Sequence, residues 1–146
     1  MNFTVQCIVV QAGTQTVHAH RAFLAAFSDY FCALLGSGLN ESTQNEVTLH
    51  EVDGDSFVQM IEFAYSGHIT ISSATVHPLL ETANYIGVDQ VTRACCTYLA
   101  DRLTVDNVLP LLVKADELSL QSLFDKVKSF LFAELQLAFS LRTDQT

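Results

Sequence analysis

Apolar positions recur near every third or fourth residue over most of this chain, and in strand-like runs over only a few short stretches, so the pattern predicts helices around a small sheet. Residues 4–10, TVQCIVV, are β-branched and apolar and read as a buried strand. Gly13 turns the chain into a second strand ending near Ala19, which makes a hairpin. A helix rich in alanine and leucine follows (Ala22, Leu24, Ala25, Ala26). Ser28 then caps a second short helix with Tyr30, Phe31, Leu34 and Leu35 on its inner face. Gly36 and Gly38 stop that helix and leave Leu39, Asn40 and Glu41 in a loop.

Val47, Thr48 and Leu49 alternate as a third strand. Asp53 or Asp55 is placed to cap a helix whose inner face is Phe57, Met60, Ile61, Ala64 and Tyr65 and which Gly67 ends. Ile69 and Ile71 read as one more brief strand. A helix from about Thr75 has Pro78 in its first turn, where no intrahelical bond is lost. The next helix puts Val88, Val91, Ala94, Cys95, Tyr98, Leu99 and Leu103 on one face. Beyond Thr104 two more amphipathic helices are expected. The first is capped by Asp106, with Pro110 at about its fourth position and Leu109, Leu112 and Val113 inward. The second turns Leu120, Leu123, Phe124, Val127, Phe130 and Leu131 inward, and the polar residues 142–146 are expected to fray.

Composition narrows the function classes. A chain of 146 residues holds one ordinary domain, or a domain plus a helical extension, and 49% hydrophobic against 16% charged residues is far from a disordered composition. Its 16 acidic against 7 basic residues give a net charge of -9, which disfavours nucleic acid and anionic lipid as direct partners. The apolar runs are too short to span a membrane, and no cationic segment precedes an apolar core at the start, so an intracellular chain is expected. Cys7, Cys32, Cys95 and Cys96 have neither metal nor disulfide spacing and are expected to be reduced and mostly buried.

Candidate chemistry is thin. His18 and His20 share one side of a strand, but nothing nearby completes a metal site, so no metal or cofactor is expected and a structural role at the strand-to-helix corner is preferred. No nucleophile sits on a glycine-flanked elbow or a phosphate loop, which argues against an enzyme and leaves no catalytic residue to name. Glu41, Glu46, Glu51, Asp53 and Asp55 form an acidic stretch that reads as a solvated rim, or as a surface suited to a basic partner.

Residues 18–41, HAHRAFLAAFSDYFCALLGSGLNE, resemble the signature of the BTB/POZ family, and FAYSGHITIS at residues 63–72 is similar to that family's helix, glycine turn and strand. Residues 79–103 resemble its last helical hairpin, and the sequence after Thr104 resembles the helix pair (the 3-box, or start of BACK) that follows the domain in kelch-type proteins. The resemblance implies an α+β fold, a helical cluster flanked by a small sheet over residues 2–103, with a helical extension over residues 104–139. It implies an interaction module, an adaptor that brings substrates to a cullin-3 RING ubiquitin ligase in the cytoplasm or nucleus, with the substrate bound by a region outside this chain. The alternative it leaves open is a self-associating scaffold or transcription co-regulator.

Leu39, Asn40 and Glu41 match the family's hydrophobic-x-Glu motif for cullin binding. An apolar residue between Gly38 and Asn40 covers its own domain or awaits a partner. Tyr65 and Leu109 are further expected contacts, and the added helices are expected to form a groove for a cullin segment. Two departures predict a homodimer weaker than is usual for the family: no helix precedes the first strand, and Gln6 or a neighbour stands where an acid would pair with Arg21.

Overall fold

The computed structural model describes residues 7–35 and 45–144, with side chains as far as Phe139. The chain divides into two compact units, residues 1–95 and 96–146.

In the first unit, β1 (Cys7–Ala12) pairs antiparallel with β2 (Gln15–His20) across the turn at Gly13, whose φ of 59° is one that glycine adopts without strain. The chain then forms α1 (Arg21–Phe27) and α2 (Asp29–Leu35) and returns as β3 (Glu46–Leu49), parallel to β1, giving the strand order β2-β1-β3. A parallel neighbour needs a crossover of this length, and the two short helices supply it. Ile8, Val10 and Ala12 of β1 and Val47 and Leu49 of β3 point into the core, so one face of the sheet is buried.

Against the sheet packs α3 (Gly54–Ser66), and α4 (Val76–Ile86) packs on α3; α5 (Asp89–Ala100) follows α4. Asp53 caps α3, accepting from the Ser56 amide at 3.0 Å and the Ser56 hydroxyl at 2.7 Å, and Gly67 closes it in the left-handed conformation. Helix α4 buries Val76, Leu79, Leu80, Ala83 and Ile86, the three-and-four spacing of one helical face. The fold is thus the α+β arrangement that the sequence predicts.

Gly54 touches the sheet most closely. A Cβ there would lie 2.4 Å from the Ala12 carbonyl oxygen, whereas a Cβ at Gly67 would meet nothing within 4 Å. Gly54→Ala is therefore expected to cost about 1–3 kcal/mol by forcing α3 away from β1, and Gly67→Ala about 1 kcal/mol through its positive φ alone. Urea unfolding of the two variants checks the order; equal losses would show that the α3–β1 approach is not tight.

Several local expectations are corrected. Ile69 and Ile71 form no strand: the segment pairs with no strand among the described residues, and its ends are held by side chains. The His68 amide donates to Ser66 Oγ at 3.1 Å, and the Ser72 amide to Thr75 Oγ1 at 3.1 Å. Tyr65 is 52% exposed instead of inward. Ala94 is exposed, because the buried stripe of α5 runs through Val91, Thr92 and Cys95. The cysteines are free, but only Cys95 is buried, while Cys7 and Cys32 are exposed because their positions face away from the core.

The second unit holds α6 (Val108–Glu117) and α7 (Gln121–Asp144), packed on each other. Asn107, not Asp106, directly precedes α6; its Oδ1 accepts from the Thr104 amide at 2.8 Å and its own amide donates to Thr104 Oγ1 at 3.3 Å. Packing on α7 buries Val108, Leu111 and Ala115 while Leu109 and Val113 face out, against expectation. Ser119, at φ 57°, ends α6: its amide bonds Asp116 and that of Leu120 bonds Ala115, satisfying the last carbonyls without a glycine. Leu123 and Val127 are buried on α7, and the helix continues to Asp144, past the expected fraying point at Arg142.

Candidate partner-docking surface

The sequence-predicted contacts fall in three places. Leu39, Asn40 and Glu41, with Gly36 and Gly38, lie outside the described residues, so the site begins for us at α2, the helix that leads into them. Tyr65 belongs to the first unit and Leu109 to the second.

Helix α2 is fastened at its start. The Ser28 hydroxyl donates to the Ile86 carbonyl and accepts from the Phe31 amide at 3.2 Å, and the Asp29 amide donates to the Gly87 carbonyl at 3.4 Å. Ser28 thus caps α2 as its residue type predicts and also ties α2 to the end of α4. Gly87, with φ 74°, fits beneath Asp29, where a Cβ would come within 2.8 Å of the Asp29 Cβ. Phe31, fully buried, anchors the helix from below against Phe57, with ring centroids 6.2 Å apart.

The joined helices present Tyr30 and Tyr85, ring centroids 5.4 Å apart. Burial, and then the charge and hydrogen bond of the neighbouring Tyr85 hydroxyl, raise the Tyr30 phenol above its ordinary range. The sequence pattern places Tyr30 inward and does not single out Tyr85, which is 48% exposed beside the buried face of α4. The one signal for it is an aromatic residue lying off the α4 apolar stripe of Val76, Leu79, Leu80, Ala83 and Ile86.

Tyr65 belongs to a separate aromatic row. Its ring stacks on Phe23 with centroids 4.2 Å apart and 9° between planes, Phe23 lies 6.1 Å from Phe27, and the Tyr65 hydroxyl is 3.2 Å from His20 Nδ1. Helix α1 aligns Phe23 and Phe27 by their spacing of four, and the end of β2 brings His20 alongside. His20 is thus a corner residue as expected, in contact with a tyrosine that itself faces solvent. Stacked, exposed and half-exposed rings are held in place before any partner arrives, the property that makes aromatic side chains effective anchors.

Arg21 donates to Asn45 Oδ1 at 3.4 Å. The acidic stretch is a solvated rim in its described part. Glu46 accepts from Gln11 at 3.2 Å, Asp55 from Gln15 at 2.8 Å, and Asp53 is spent on its cap.

In the second unit Leu109 is 58% exposed, with Val113 one turn further along α6 and Val105 exposed in the turn before it. Burial pushes the Cys96 thiol up, against the opposing pull of Lys126. Among the described residues no three His, Cys, Asp or Glu side chains gather to hold a metal ion, and no helix is long and apolar enough to cross a membrane.

Residues 3–103 match the family model for the BTB/POZ domain. Over 118 residues, 81% of this chain, the sequence is 34% identical to Kelch-like protein 21 of Danio rerio, and the chain spans about a fifth (19%) of that relative's length. The fold resembles the BTB domain of zebrafish PATZ1, with a TM-score of 0.56 and 24% identity over 63% of this chain and 73% of that one. On the match across most of its length, the chain belongs to the BTB/POZ domain family, whose members are protein-interaction modules.

Proposed function

We propose that this chain is the cullin-binding part of a substrate adaptor for a cullin-3 RING ubiquitin ligase, docking through Leu39, Asn40, Glu41, Tyr65 and Leu109. The observation that carries the reading is the extent of the likeness to the kelch-like relative. It covers 118 residues, more than the domain match at residues 3–103 holds, so it takes in part of the sequence beyond Leu103. A BTB/POZ domain with a matching helical extension is the arrangement the adaptor reading requires. The aromatic row ending at Tyr65 and the outward Leu109 supply apolar side chains of the kind that fill pockets at interface centres. On this reading the chain carries no bond chemistry of its own, works in the cytoplasm or nucleus, and leaves substrate recognition to residues outside this chain. The test is co-elution of the chain with the amino-terminal domain of cullin-3: a stable complex on gel filtration is expected, and separate elution at micromolar concentrations overturns the proposal.

The same chain is expected to form a homodimer weaker than is usual for the family. Sedimentation at micromolar concentration should therefore show a substantial monomer fraction, and a dimer persisting at nanomolar concentration would contradict it.

A further inference from the structure

No further inference is drawn: the strongest candidate, the exposed apolar row of Phe132, Leu135 and Phe139 on the far half of α7, carries nothing because nothing in the structure shows what covers it.

Discussion

Phe31→Ala is expected to be the most damaging single change in the first unit, costing about 3–5 kcal/mol. The side chain is fully buried, meets Phe57 on α3 with centroids 6.2 Å apart, and meets Tyr30 edge-on at 5.3 Å. Its amide also donates to the Ser28 cap, so the residue joins the α2–α4 tie to the α2–α3 core. Truncation leaves a cavity that two short, fastened helices have little freedom to fill. For a chain of this size the melting midpoint should fall by on the order of 10 °C. Phe31→Leu, which keeps most of the volume, should lose well under half as much, and Phe139→Ala, at a side chain 69% exposed, almost nothing. Calorimetry on the three variants decides; a small loss for Phe31→Ala would show that the core beneath α2 repacks.

Most of this architecture is legible in the sequence because its signals are local and agree with one another. Gly67 after a 3.6-period stripe and Ser28 at the break between two short helices each mark a boundary that the structure places at that residue, and of the two caps offered before the stripe, Asp53 and Asp55, it takes Asp53. The misreadings share one cause: each depends on what lies across from the segment. Ile69 and Ile71 have the composition of a strand, but a strand exists only where another backbone pairs with it. The face of α6 differs from expectation by one position because packing against α7 selects Val108, Leu111 and Ala115, and a shift of one position turns the buried stripe by about 100°. The close of α6 at Ser119 carries no glycine to announce it. For the candidate site, residue types are legible and exposure is not. Tyr65 and Leu109 both fit helical stripes, yet both stand on the outer side of them, and the neighbours that hold Tyr65 upright, Phe23 and His20, come from other elements.

The double substitution Leu39→Asp with Glu41→Lys is expected to weaken binding to the amino-terminal cullin-3 domain at least about thirtyfold, the effect of losing one central contact of roughly 2 kcal/mol. On the proposed reading the Leu39 side chain enters an apolar pocket, so an aspartate there must be desolvated without a partner, and a lysine in place of Glu41 reverses a charge that helps fix the segment. The chain's net charge of -9 makes the second change informative. A partner attracted only by the overall acidic field would lose little from one charge reversal among 16 acidic residues, and its binding would weaken with salt. A partner seated on Leu39 would lose affinity at high and low salt alike. Titration calorimetry at two ionic strengths separates the cases. The melting midpoint, read in parallel, should move little, because Phe31, Phe57, Leu79 and Leu80 hold the sheet and helices of the first unit together and are left untouched. Full affinity in the double variant at both salt concentrations, with the fold intact, would sink the assignment of residues 39–41 to the interface while leaving Tyr65 and Leu109 to be tested on their own.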